Sequence, residues 1–198
     1  MTAGLAGQSE TDAAVIGQSL ADPERFAAIF ERYFGQIHRY LAGRIGGRIA
    51  DDLAAETFVV AFAQRQRYDL DRDCARPWLY GIATNLAGSH WRQEQRRYRA
   101  LARLDTRLVS PSDEDVIADR VSASAAGPAL AAALAALDPG DRDVLLLVSL
   151  ADLSYAEVAA ALGIPGGTVG SRLNRARRRV REALGGASPA GYPKGTTL

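Results

Sequence analysis

A chain of 198 residues with 47% apolar and 24% charged side chains has the composition of a soluble globular protein of one ordinary domain or two small ones. A single cysteine, Cys74, excludes an intramolecular disulfide framework and a multi-thiolate metal cluster. The net charge of +1 is segregated: residues 165–184 carry six arginines and one glutamate, residues 92–103 five arginines and Glu94, and the acids Asp105, Asp113, Glu114, Asp115 and Asp119 lie between these blocks.

The N-terminus has no basic start followed by an apolar run, and no segment approaches the roughly 18 uncharged apolar residues of a membrane span, so neither export nor membrane insertion is expected. Residues 1–22 are expected to be disordered. Asp22 followed by Pro23 is an N-cap with proline at the first helical position. Beyond it Phe26, Ile29, Phe30, Tyr33, Phe34, Ile37, Tyr40 and Leu41 recur at three and four, which predicts a long amphipathic helix.

The paired glycines of RIGGRIA break that pattern, and DDLAAETFVVAFAQRQRY then opens a second helix on acids suited to an N-terminus. YDLDRDCA reads as a loop. Pro77 restarts a helix that runs through WLYGIATNLAGSHWRQEQRRYRAL into the first basic block. A three-helix unit therefore occupies residues 23–104. Trp78 reads as core, because aromatic residues at helical spacing are more often packed than exposed.

Residues 105–127 are small, polar and acidic and read as a flexible linker. A second helical unit spans 128–184, and the tail 185–198 is expected to be disordered. Ser154 with Glu157 forms a capping box, Val158 and Leu162 share a face, and Gly163 stops that helix. Ile164 and Pro165 lead into a last helix whose Val169, Leu173, Ala176, Val180 and Leu184 make one apolar stripe. A short helix, a tight turn and a second helix form a helix-turn-helix, whose second helix enters the DNA major groove. No acid stands between Arg172 and Arg181, and the helix is read as lacking acidic partners one turn on, where a merely solvated face mixes signs. Ser171, Arg172, Asn174 and Arg175 are of types that hydrogen-bond base edges, whereas Arg177 to Arg181 suit phosphates. The fold class is all-α: two small helical domains joined by a flexible acidic linker.

At these residues a family resemblance appears. LSYAEVAAALGIPGGTVGSRLNRARRRVREAL resembles the fourth conserved region of bacterial RNA polymerase sigma factors, and DDLAAETFVVAF with RPWLYGIATNLAGSHWR resembles their second. The compact two-block layout is similar to the extracytoplasmic function (ECF) group of the sigma-70 family. The resemblance implies that Asp51, Asp52, Leu53, Glu56, Thr57 and Phe58 dock on core RNA polymerase. It implies that the loop from Tyr68 to Arg76 rims a pocket for the single-stranded −10 element, with Asn85 at a flipped base. A flipped base needs flat surfaces and hydrogen-bonding groups that offset unstacking. The −10 contacts implied are Tyr68, Arg76, Asn85, Trp91, Arg92, Arg96 and Arg97. The −35 contacts implied are Thr168, Ser171, Arg172, Asn174, Arg175, Arg178 and Arg179.

The resemblance also gives the acidic linker a path through the basic RNA exit channel of the polymerase, and its 23 residues span at most roughly 75 to 85 Å extended. Three departures stand out: Ala55 where relatives often carry glutamine, Gly170 where they carry a basic or polar residue, and a loop YDLDRDCAR without their usual glycine and serine. The partners implied are core RNA polymerase, promoter DNA and an anti-sigma factor, in the cytoplasm, with no cofactor and no metal. A free-standing helix-turn-helix regulator is the alternative, but it has no need of the docking helix or the strand-opening block. An enzyme is not expected: His38 and His90 are isolated on predicted helices, and no paired carboxylates or phosphate loop accompany them.

Overall fold

The computed structural model describes residues 10–104 and 127–185, with the backbone alone for 98–104. Among the described residues there are helices and no strand. The expected linker, apart from Gly127, and the tail beyond Gly185 lie outside them, as do residues 1–9.

The expectation of a disordered N-terminus is corrected over residues 12–18. Helix α1, Asp12–Gln18, is capped by Thr11, whose hydroxyl accepts from the Ala14 N–H at 3.2 Å, and it buries Ala13, Val15 and Ile16. Seven residues carry little periodic signal, and what fixes them comes from residues far along the chain. A 3₁₀ turn, Pro23–Phe26, follows, with the Asp22 carboxylate accepting from the Glu24 N–H at 3.3 Å.

Helix α2, Ala27–Ile45, turns Ile29, Tyr33, Ile37, Tyr40, Leu41 and Ile45 inward. It ends at Gly46, whose φ of 86° and ψ of 154° lie in a region that residues with a Cβ avoid. Helix α3, Gly47–Gln64, starts at once, four residues ahead of Asp51, the first of the acids expected in its first turn. The two helices pack through Phe30 and Phe34 on Phe58, at ring separations of 5.0 and 6.0 Å. Helix α4, Arg76–Leu104, lays Leu79, Tyr80, Ala83 and Ala87 against them. The fully buried Tyr40 ring meets Tyr80 edge-on at 5.2 Å. Its hydroxyl is shared with Thr84 Oγ1 and accepts from Arg44 Nη1, each at 2.8 Å, so the polar tip is satisfied inside the core.

The C-terminal unit comprises α5, Gly127–Ala135; α6, Pro139–Leu150; α7, Tyr155–Leu162; and α8, Gly166–Ala183. Val144 and Leu147 of α6, Val158 of α7 and Val169, Leu173 and Ala176 of α8 are all fully buried. That apolar stripe sets which face α8 leaves outside.

The two units touch. Arg44 donates to Asp143 at 2.5 Å, and Arg76 donates to Glu157 at 3.1 Å and to the Ala151 carbonyl at 2.5 Å. Gly81 comes so close to α7 that a Cβ there would stand 2.4 Å from the Ala161 carbonyl oxygen.

Candidate nucleic-acid interface

The geometry of the helix-turn-helix follows from its caps. Ser154 Oγ accepts from the Glu157 N–H at 3.3 Å, while the Glu157 carboxylate accepts from the Ser154 N–H at 2.8 Å. Burial alone raises the Glu157 carboxyl, but the hydrogen bonds from Ser154 and the nearby Arg76 charge outweigh it and hold that group below its ordinary value. Gly163 takes the left-handed conformation at φ 62°, the Ile164 N–H reaches back to the Ala159 carbonyl at 3.1 Å, and Pro165 starts α8.

Once Val169, Leu173 and Ala176 are buried, Ser171, Asn174, Arg175, Arg177, Arg178 and Arg179 are exposed, and Thr168 and Arg172 are half-buried. Their surroundings differ. Ser171 Oγ donates to the Thr168 carbonyl at 3.0 Å. The Arg172 guanidinium lies over Gly140, where a Cβ would meet Nη1 at 2.6 Å. Arg175 grips the buried Asp141 with two hydrogen bonds. Arg178 stands 3.8 Å from Glu182, both well exposed. That pair corrects the reading of a helix without acidic partners one turn on; an exposed pair of this length adds little stability.

Along α4, Asn85, Arg92 and Arg96 are exposed at intervals of seven and four residues, so they line one face of the helix. Arg97 is exposed 4.0 Å from Glu94, and the half-buried Trp91 ring carries the Arg142 guanidinium 5.5 Å from its centroid. Two other sequence-derived −10 residues are held elsewhere. Arg76 spends its guanidinium on Glu157 and Ala151 of the C-terminal unit. Tyr68 is buried, its ring 4.9 Å from Trp78 and its hydroxyl donating to the Arg72 carbonyl at 2.5 Å; burial pushes that hydroxyl up to about 12.

On α3 the six residues matched to polymerase docking divide by burial. Asp51, Asp52 and Glu56 are exposed, with Asp51 2.8 Å from His38 Nε2. Leu53, Thr57 and Phe58 are buried, and the Thr57 hydroxyl donates to the Leu53 carbonyl at 2.7 Å. Val59, 67% exposed, shares a face with Asp52 and Glu56, seven and three residues away. Sequence reasoning missed it, although its spacing from those acids was a usable signal. Among the described residues no group of three or more His, Cys, Asp or Glu is placed to hold a metal ion, and no helix is long and apolar enough to cross a membrane.

Comparison with known proteins bears on the same segments. Residues 29–97 match the family "Sigma-70 region 2", and residues 128–180 match "Sigma-70, region 4". The ECF RNA polymerase sigma factor SigW of Bacillus subtilis is 30% identical over 171 residues, covering 82% of this chain and 90% of SigW. The chain belongs to the ECF group of RNA polymerase sigma factors. The ECF sigma factor SigE of Mycolicibacterium smegmatis is 36% identical over 149 residues, 73% of this sigma factor; the chain spans 56% of SigE's length. The solved structure of CnrH in complex with the cytosolic domain of CnrY superposes with a TM-score of 0.62 at 25% identity, covering 89% of this sigma factor and 99% of CnrH. Region 2 holds α2, α3 and most of α4, region 4 holds α5 to α8, and α1 precedes both matches.

Proposed function

We propose that this sigma factor assembles with core RNA polymerase in the cytoplasm, brings it to promoters by reading −35 and −10 elements, and assists strand opening. It carries out no catalytic chemistry of its own. The observation that carries this reading is the presence, on one chain, of the acidic α3 face, the Asn85, Arg92 and Arg96 line on α4, and the arginine face of α8. A regulator acting alone on duplex DNA needs only the last of these.

Each surface has a physical task. Asp52 and Glu56 with Val59 between turns offer negative charge around an apolar contact, which suits a basic partner surface. On α4, the Asn85 amide offers both a donor and an acceptor to a base edge, and Arg92, Arg96 and Arg97 offset the phosphates on either side of it. Trp78 and Tyr68 pack beneath the loop and shape the rim. On α8, Asn174 and Arg172 suit base edges in a −35 major groove, while Arg177, Arg178 and Arg179 suit phosphates. Arg76 joins the −10 contacts only by exchanging Glu157 and Ala151 for DNA, so promoter binding competes with the packing of the two units. CnrH was solved with the cytosolic domain of CnrY, and by that likeness a protein inhibitor of the anti-sigma class is the further partner.

Co-elution tests the reading. Mixed with core RNA polymerase, this sigma factor is expected to run as a stoichiometric complex on gel filtration. A chain that stays separate from core polymerase, yet binds duplex DNA tightly alone, would instead be a free-standing regulator.

A further inference from the structure

We infer that Asp12, on the short helix α1 that lies ahead of both family matches, is a positioning residue that fixes the loop from Tyr68 to Arg76 for capture of the −10 strand. The inference rests on the reading of that loop as the rim of the −10 pocket.

The Asp12 side chain is 2% exposed. One carboxylate oxygen takes the Arg32 guanidinium; the other accepts from the Tyr33 hydroxyl at 2.5 Å and from the Ala75 N–H at 2.7 Å. The backbone adds a second tie, since the Asp12 N–H donates to the Asp73 carbonyl at 3.0 Å. Residue 12 thus clasps the loop at two points, from outside and across more than sixty residues of sequence. Leu70 adds a third contact, with its methyls 3.7 Å from where a Cβ on Gly17 would stand.

The rest of the loop is thinly held. Residues 69–74 are exposed, and their other polar contacts are the Tyr33 hydroxyl 3.6 Å from Cys74 Sγ, the Tyr68 hydroxyl on the Arg72 carbonyl, and the local bonds that Asp69 accepts from Arg72 and from the Asp71 N–H. Remove the Asp12 carboxylate and the Ala75 N–H loses its tie, leaving Tyr68, Leu70 and the longer Tyr33–Cys74 contact as the side-chain anchors. Ala75 also immediately precedes α4, whose first turn has no acid of its own. Asp12 supplies the negative charge that favours a helix N-terminus, and supplies it from another helix. A buried carboxylate is costly unless fully hydrogen-bonded, so one placed here is coupled to the geometry of all its donors. Those donors sit on α2 and at the start of α4, the helix that carries Asn85 and Arg92.

The test is Asp12→Asn in the full chain assembled with core polymerase. The probes are a single-stranded oligonucleotide spanning the −10 element of a promoter the wild-type holoenzyme uses, and a duplex carrying its −35 element. The expected result is −10 strand affinity weakened about tenfold or more, the scale of losing a charge-assisted hydrogen bond, with core and −35 affinities changed by less than about twofold. Hydrogen exchange is expected to quicken at Ala75 and not in α3. A folded variant with unchanged −10 affinity would overturn the inference, and so would equal losses for core, −35 and −10, which mark general destabilisation. If Asp12→Asn does not fold, the unaltered protein decides: Ala75 N–H exchange as fast as that of exposed Asp71 would overturn the clasp, and strong protection would support it. A wild-type holoenzyme that binds no −10 strand would fail the sigma reading itself, a separate outcome.

Discussion

Arg175 holds Asp141 in a two-pronged ion pair, Nε to Oδ2 at 2.5 Å and Nη2 to Oδ1 at 2.7 Å, joining α8 to the first turn of α6. The acid is 2% exposed and the arginine 44%, so the pair closes over the carboxylate while much of the arginine side chain stays exposed. A residue matched to −35 contact is thereby held in place before any DNA arrives. The hydrogen bonds from Arg175, more than opposing burial, keep the Asp141 carboxyl below its ordinary value.

That depressed value gives a pH prediction. With the folded value below the unfolded one of about 3.9, the pair's contribution is complete above roughly pH 4 and is lost as pH falls through the folded value. Asp141→Asn is expected to lose that part of the acid dependence, read from helical circular dichroism between neutral and strongly acid pH. Identical acid limbs for the variant and the wild type would contradict the assignment.

Gly81 makes a second prediction possible. Within α4 an alanine is favoured over glycine by about 0.8 to 1 kcal/mol, so Gly81→Ala strengthens the helix itself. Its Cβ would nevertheless stand 2.4 Å from a backbone carbonyl oxygen of α7, which cannot rotate away as a flexible side chain would. The substitution is expected to part the two units, breaking the Arg76–Glu157 contact, with helicity unchanged and the radius of gyration from solution scattering increased. A compact particle indistinguishable from wild type would refute the contact.

Asp52→Arg with Glu56→Arg reverses two exposed charges and touches no buried group. The fold is expected to persist, with unfolding shifted by no more than about 0.5 kcal/mol per site, while affinity for core polymerase falls about tenfold or more. Val59→Asp is expected to act in the same direction. Undiminished co-elution of both variants with core polymerase would remove α3 from the interface.

On α8 the division between phosphate and base contacts is measurable. Arg178→Ala and Arg179→Ala are each expected to weaken −35 duplex binding for all sequences and to reduce the salt slope by about one. Asn174→Ala is expected to cost about 1 to 3 kcal/mol on matched sites and less on scrambled ones. Equal losses on matched and scrambled duplexes for all three variants would erase the distinction.

Much of this was legible in the sequence, for identifiable reasons. The three-and-four recurrence from Phe26 to Leu41 predicts α2 because burial of one face repeats with the helical period. Ser154, Glu157 and Gly163 announce the helix-turn-helix because caps are local chemistry. Tertiary ties were not legible. Nothing near Asp12 in sequence shows that Arg32, Tyr33 and Ala75 converge on it, so α1 read as disorder. Nothing around Arg76 or Arg175 shows that Glu157 and Asp141 occupy them. Motif matching also mixed core with surface on α3: every fourth residue of a helix shares a face, and Leu53 and Thr57 alternate in that register with the exposed Asp52 and Glu56.

The most direct test of the central claim is transcription by purified core RNA polymerase on fragmented genomic DNA, with and without this protein, reading transcript 5′ ends. The predicted result is a set of starts that appear only with the protein and share two upstream elements, near −10 and −35. No protein-dependent starts from a mixture in which the protein is folded and core polymerase is active would contradict the account.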